Sequence, residues 1–381
     1  MKFPKPKCLF IALGLALVPL ADAQEKAAPI AQKDHPVYAL TFKAQATVAV
    51  SKAPQLFSPP ILCSLDGTAY FGVPEPPLYR EQTIYSLDTR ELRSYSYRDV
   101  QGLNDAHFLG FFPGERGVFL MVNATQNPEE SQAVAVSQQG NVLWSGTGFR
   151  GEHREFLVKF DKAGGHEDPI ALPADLSFHR FAELEDGSFV ALAIDRANAA
   201  VRLPLLTLDG KIMRYLPVPP ALSFQSNSRK GSRDNAVGLA MAETIVTRWY
   251  FAPARHKVLL YATNIDAPVL EIGPDGVTRE VSIAVPKGFF LDGIIPSDDR
   301  WIVRFARRKS PKPGEFSIKW SSAAGDYALY EVDFNDGSLR RELSMASIPG
   351  FGVACEEHGA LTGFSFMRDS KFILFTADLP R

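Results

Sequence analysis

FAELEDGSFVALAI, at residues 181–194, and LPLLTLDGKIMRYLPVP, at residues 203–219, decide the fold of this chain. In each segment apolar and polar residues alternate on both sides of an Asp-Gly pair, Asp186-Gly187 and Asp209-Gly210. Alternation with a period of two is the pattern of a half-buried strand, and Asp-Gly between two such runs is the strongest short-range hairpin signal. The expected turn is a tight one with both central residues at positive φ. Residues 181–219 are therefore predicted to form two hairpins in series, one four-stranded antiparallel unit.

The unit recurs along the chain. Residues 61–97 hold ILCSLDGTAYFGV and IYSLDTRELRSYSY. Residues 107–172 hold HFLGFFPGERGVFLMV and FLVKFDKAGGHEDPIAL. Residues 245–285 and 294–343 repeat the pair, with Asp275-Gly276 and Asp336-Gly337 in their outer hairpins. The C-terminus ends on a single hairpin at 363–377, while two strand-like runs at 37–42 and 46–50 open the domain unpaired. Joining these two incomplete ends makes a sixth unit from 363–377 plus 37–50 and closes a ring. No helix-period stretch competes. The sequence thus predicts an all-β fold, a six-bladed β-propeller of four-stranded antiparallel blades closed by N-terminal strands.

The outer hairpins FLVKFDKAGG, LLTLDGK, VLEIGPDG and LYEVDFNDGS carry a resemblance. They resemble the blades of secreted six-bladed propellers grouped with NHL-repeat and gluconolactonase-like proteins, over roughly residues 37–381. The resemblance implies the architecture. The Glu-Gly-Pro opening that such enzymes use for a metal ligand has no counterpart here.

The first 23 residues read as an export signal. Lys2, Lys5 and Lys7 precede a short apolar run that Pro19 breaks, and Ala21-Asp22-Ala23 supplies small residues for cleavage. The run is too short to span a bilayer. Residues 24–36 read as a flexible leader and 37–381 as one propeller domain, monomeric and without a transmembrane segment, in the periplasm or outside the cell. Losing three lysines and one aspartate from 41 basic and 43 acidic residues leaves a net charge of about −4, which argues against a nucleic-acid partner. Cys8 departs with the signal, leaving Cys63 and Cys355. In an oxidising compartment a pair without a leftover points to a disulfide, which closing so long a loop would make worth about 4–5 kcal/mol.

Function is less legible. The turns joining the first strand of a blade to its second, and the third to the fourth, are tight. Extra length falls at 123–155, 219–244, 307–326 and 346–362, all between second and third strands or between blades, and hence on one face. Long loops on a rigid scaffold build binding surfaces. Aligning the inner hairpins on their turns places His107, His179, Arg180, Arg248, Trp249 and Asp292 around the axial mouth of that face, with His358 just upstream of the last inner strand. Such a ring suits an anionic ligand. If a divalent metal were bound, His107, His179, Asp292 and His358 have the ligand chemistry, although none share a metal-ligand spacing. Basic runs at 229–233 and 307–312, and Phe149, Phe316 and Trp320, add further contact-forming side chains in the insertions.

Nucleophile elbows, zincin spacing and phosphate-cradling glycine loops are absent from the sequence. The chain is therefore expected to be a binding module for a small molecule, polymer or protein, without a cofactor. A metal-dependent hydrolase or lactonase, and a structural part of a cell-envelope assembly, are the alternatives.

Overall fold

The computed structural model describes residues 35–49, 58–64, 67–74, 82–87, 92–115, 117–126, 131–138, 141–149, 153–223, 232–254, 256–297, 300–307, 327–345, 353–367 and 371–380. The signal-peptide reading, residues 24–34 of the 24–36 leader, residues 308–326 and most of the basic run at 229–233 lie outside them. Two N-terminal strands, β1 (Val37–Leu40) and β2 (Lys43–Ala49), come first. Blade 1 is β3 (Ser58–Cys63), β4 (Ala69–Pro74), β5 (Gln82–Leu87) and β6 (Leu92–Tyr95). Blade 2 is β7 (Leu103–Pro113), β8 (Gly117–Gln126), β11 (His153–Asp161) and β12 (Ile170–Ala171), with a separate hairpin of β9 (Ser131–Gln138) and β10 (Asn141–Phe149) inserted between its second and third strands. Blade 3 is β13 (Leu176–Glu183), β14 (Phe189–Asp195), β15 (Ala200–Leu206) and β16 (Ile212–Leu216).

A helix, α1 (Ser232–Val246), leads into blade 4, made of β17 (Trp249–Ala254), β18 (Lys257–Ala262), β19 (Val269–Gly273) and β20 (Gly276–Val281). Blade 5 is β21 (Phe289–Pro296), β22 (Trp301–Arg307), β23 (Tyr327–Val332) and β24 (Leu339–Met345). Blade 6 is β25 (Val353–Glu357), β26 (Ala360–Met367), β27 (Lys371–Asp378) and β2. The six first strands touch in sequence, β3 to β7 to β13 to β17 to β21 to β25 and back to β3, so they surround a common axis. The six-bladed propeller is thus what the sequence predicts.

The Asp-Gly turns work, but by a different geometry from the expected one. In both blade 3 hairpins only the glycine has positive φ, 81° at Gly187 and 78° at Gly210. Leu184 N–H bonds Ser188 C=O (2.8 Å) while Gly187 N–H bonds Leu184 C=O (2.9 Å), and Thr207, Lys211 and Gly210 repeat the arrangement. This is a three-residue loop, a right-handed turn finished by a left-handed glycine. The aspartate stays in the ordinary region, where its Oδ1 accepts from the backbone and hydroxyl of Ser188 at 3.0 and 2.6 Å.

Apolar side chains pack between successive blades rather than in one central core. Leu120, Val122 and Phe156 face Tyr70, Ile84 and Tyr95 between blades 1 and 2. Phe119, Leu157, Phe181 and Phe189 fill the gap between blades 2 and 3. Trp301, Phe305, Leu259 and Tyr330 do so between blades 4 and 5. Burying one such side chain fully is worth about 1.5–3 kcal/mol, so each interface is a substantial core in itself.

Helix α1 is the element the sequence reading missed. Gly238, Ala242 and Val246, four residues apart, are its buried stripe, and Leu239 and Ile245 flank it against the core between blades 3 and 4. Small residues in that stripe let the helix lie close to β14 and β15, but they give a faint hydrophobic period. Residues 245 and 246 belong to this helix and not to the inner strand of blade 4.

Ring closure also differs in detail. The last inner strand is β25, read in the sequence as part of a long link, so the hairpin at 363–377 is the second and third strands of its blade, not the first and second. Blade 6 then needs only one strand from the N-terminus, β2, which pairs antiparallel with β27. The other, β1, adds to the rim of blade 5 as a fifth strand parallel to β24. A disulfide joins Cys63 at the end of β3 to Cys355 in β25, with Cα atoms 5.6 Å apart across a sequence separation of 292. It ties the inner strands of the first and last blades across the point where the ring closes.

Candidate functional site

Every inner strand starts on the face that carries the inserted β9–β10 hairpin and α1, and runs toward the tight turns on the other. Five of them show bulge-type register shifts: between Ser58 and Leu62 in β3, Asn104 and His107 and again Phe108 and Gly110 in β7, Phe178 and Arg180 in β13, Leu291 and Gly293 in β21, and Val353 and Cys355 in β25. A bulge leaves one residue without a cross-strand partner and redirects its side chain. In β13 that residue is His179, and in β21 it is Asp292.

His179 and Asp292 each lie four residues before the last residue of their strand. Tyr250 holds the same position in β17, and Leu109, exposed on its own strand, holds it in β7. One residue earlier stand Phe178, Trp249 and Leu291, all buried. Trp249 is therefore the blade 4 counterpart of core residues. It is fully buried among α1 and blade 3 side chains, and is not a mouth residue. Arg248, at the junction of α1 with β17, is exposed, and its carbonyl accepts from Thr263 N–H at 2.8 Å.

Around this layer, polar and aromatic side chains from three consecutive blades converge. The Arg180 guanidinium lies 5.1 Å from the centroid of the Tyr250 ring, and its Nη1 donates to His179 C=O at 2.8 Å. Tyr250 stacks on Tyr261, its cross-strand partner, at 6.0 Å. The Tyr261 hydroxyl is buried, bonds the backbone of Ile294 in blade 5, and is pushed well above the ordinary tyrosine range by that burial. In blade 5, Arg304 Nε donates to Asp292 Oδ2 at 2.5 Å, and the guanidinium lies over Tyr327 at 5.7 Å. Arg304 packs over Gly293, its nearest nitrogen 3.5 Å from where a Cβ would stand, an ordinary contact distance.

His179 is half-buried, and its Nε2 is inaccessible and has no hydrogen-bond partner. Burial, and then the neighbouring Arg180 charge, lower its pKa to about 4, so the ring is neutral at pH 7. The strand beside it is fixed from blade 2. Glu155 Oε2 accepts from Phe178 N–H at 2.8 Å, and its other oxygen accepts from Arg196 at 2.7 Å. Burial pushes the Glu155 carboxyl up, against those bonds, which pull it down.

Of the predicted ring, then, His179, Arg180 and Asp292 share this layer. His107 lies on the exposed start of β7. His358 occupies the β25–β26 turn, with φ of 52°, at the opposite end of the inner strands. Asp292 is committed to Arg304, and His358 is on the other face, so the four residues suggested for a metal do not fit one ion. Among the described residues no three His, Cys, Asp or Glu side chains come together as metal ligands. Of the contact-forming residues expected in the insertions, Arg307 packs on the Phe289 ring at 4.9 Å. Phe316, Trp320 and the rest of that basic run are outside the described residues. The long link at 346–362 shrinks, because β25 occupies part of it.

Sequence reasoning missed Tyr250, Tyr261, Arg304, Tyr327 and Glu155. Tyr250 was within reach, since a strand that buries Trp249 must turn its neighbour to the other side.

No protein-family model matches the chain, and no curated protein matches it. Among solved structures it is similar to virginiamycin B lyase from Staphylococcus aureus, with 15% identity over 88% of this chain and 99% of that one, at a TM-score of 0.41. A streptogramin B lyase structure aligns at 10% identity over 90% and 98% of the two chains, at a TM-score of 0.38. The Pan2 WD40 domain of Neurospora crassa aligns at 10% identity over 89% and 96%, at a TM-score of 0.42. These likenesses carry no argument about chemistry.

Proposed function

We propose that the chain is a binding propeller whose ligand docks at the axial end of the inner strands, on the face carrying the β9–β10 hairpin and α1. One observation carries the reading. Arg180, Tyr250, Asp292 and Arg304, from three consecutive blades, converge where bulged strands release side chains that the inter-blade cores do not use. Ligand sites favour such mixed aromatic and polar settings on a rigid scaffold. The Cys63–Cys355 bridge supports work outside the cytoplasm, as does the basic, apolar and small-residue order of the first 23 residues. The likeness of the outer hairpins to NHL-repeat and gluconolactonase-like blades supports the architecture and brings no reaction with it.

The test is a thermal-shift screen of the purified chain against a panel of sugars, organic acids, phosphate esters and aromatic amines. Compounds that raise the melting temperature of the wild type are expected to lose that effect in Tyr250→Leu and Asp292→Asn. They should keep it in Met213→Ala, a change on the exposed rim of blade 3. If every hit binds the two site variants as tightly as the wild type, the ligand sits elsewhere and the reading fails.

A further inference from the structure

Among the described residues, five half-buried arginines pair with carboxylates. Arg202 pairs with Asp195 at 3.1 Å, Arg279 with Glu271 at 2.5 Å, Arg304 with Asp292 at 2.5 Å, and Arg300 and Arg341 with Glu331 at 3.7 and 2.9 Å. The pairing follows from the expense of taking a charge out of water without a counter-charge. Arg180 departs from the pattern. It is half-buried on the inner strand of blade 3, yet among the described residues no carboxylate lies within ion-pair distance of it. One of its five N–H groups bonds the adjacent backbone carbonyl, and its Cζ lies over the Tyr250 ring, 5.1 Å from the centroid.

The neighbouring groups do not compensate it. Asp292 is taken by Arg304, and Glu155, beyond Phe178, is taken by Arg196. His179 brings no negative charge. Arg248, two residues before Tyr250, is exposed and adds a further cation without a carboxylate partner among the described residues. The cation–π contact holds the guanidinium at the ring without neutralising it. A guanidinium seated at a ring with most of its N–H groups unspent can receive a planar or tetrahedral oxyanion.

Resting on the axial-site reading above, we propose that the ligand is an anion, held through a carboxylate or phosphoryl group by the open edge of the Arg180 guanidinium and packed against Tyr250. The charge that folding leaves uncompensated is completed when the ligand binds. An arginine kept for a ligand rather than for the fold can be removed without loss of stability, which a structural arginine cannot.

Three probes of similar size test it on the wild type and on Arg180→Met at one fixed ionic strength: benzoate, phenyl phosphate and neutral benzyl alcohol. Calorimetric titration is expected to show saturable millimolar binding of at least one anion to the wild type, as suits ligands of this size. Arg180→Met should weaken it by about tenfold or more. Whether benzoate or phenyl phosphate binds more tightly identifies the group as carboxylate or phosphoryl. Without ligand, Arg180→Met should melt within about 2 °C of the wild type or above it. A fall of more than about 5 °C in that melting temperature would assign Arg180 to the fold and overturn the proposal. Equal anion binding by both proteins, or none by the wild type, overturns it too. If benzyl alcohol alone binds, and Tyr250→Leu abolishes its binding, the anion inference falls while the axial site stands.

Discussion

Replacing His179 by glutamine tests whether its ring is held neutral in the folded chain, and the effect can be worked out in advance. Burial first, and the Arg180 charge second, lower the imidazole pKa from 6.5 to about 4. Above pH 6.5 the ring is neutral in both folded and unfolded chains and contributes nothing to the pH dependence. As pH falls below 6.5 the unfolded chain takes up a proton that the folded chain refuses, so acid favours unfolding. The loss accumulates down to about pH 4, where the folded ring also protonates and the curve levels. Linkage gives a loss, relative to pH 7, of about 1 kcal/mol by pH 5.5 and about 2 kcal/mol by pH 4.5. His179→Gln has no such titration and should lack this part of the acid sensitivity.

The assay is urea denaturation at pH 7, 5.5 and 4.5, followed by fluorescence of the buried Trp249 and Trp301. The quantity to read is the difference between wild type and variant, because carboxylates contribute to both. Asp195, Glu271 and Asp333, whose pKa values are lowered in the fold, withdraw stability only as pH falls through the carboxylate range. Glu155 works in the opposite sense: burial raises its carboxyl, so the folded chain binds its proton first as pH falls. Since Glu155 bonds Phe178 beside His179, repeating the comparison in a Glu155→Gln background separates the two. Equal losses of stability in wild type and His179→Gln between pH 7 and 4.5 would refute the argument.

Two further outcomes follow from the ring and from the layer behind the site. Reducing Cys63–Cys355, or replacing both by serine, frees a loop closed across a sequence separation of 292, and the chain-entropy model puts the loss at about 6 kcal/mol; denaturation midpoints that coincide with and without reductant would contradict it. Trp249→Ala should cost about 3–5 kcal/mol, because the indole is fully buried between α1 and blades 3 and 4, while folded variant should bind axial ligands as the wild type does, and the converse result would return Trp249 to the site.

Much of the architecture was legible because turn chemistry is local. Asp186-Gly187, Asp209-Gly210, Asp275-Gly276 and Asp336-Gly337 mark hairpins wherever they occur, and counting hairpins counts blades. What escaped depends on contacts distant in sequence. β25 is five residues long and bulged, so VACEE alone carries little strand signal, and its role is fixed by pairing with β26. Nothing within residues 37–40 says that they will pair with 342–345 rather than with the last blade. α1 hides because Gly238 and Ala242 stand where larger apolar residues would announce a helix. At the site, alignment on the turns found His179 and Asp292 but took Trp249 for their equivalent, one residue from Tyr250. A single-residue slip exchanges the two sides of a strand, so it put a core residue at the mouth.

That slip shows why the bulged layer is where chemistry can accumulate. Along a regular inner strand each side chain is committed by alternation to one inter-blade interface or the other, and polar substitutions there disrupt a core. At His179 and Asp292 the extra residue has no cross-strand partner, so its identity is released from that constraint. The cost of polarity at this layer is then borne by neighbours that are firmly fixed. Glu155 holds β13 from blade 2, Tyr261 joins blade 4 to the backbone of blade 5, and the disulfide closes the ring. A scaffold braced at these points tolerates one half-buried arginine without a counter-ion, which a lone hairpin would expel to water. The rigidity of the blades and the open charge of Arg180 are therefore two parts of one arrangement, in which the fold carries a cost at the axis that the proposed anion would relieve.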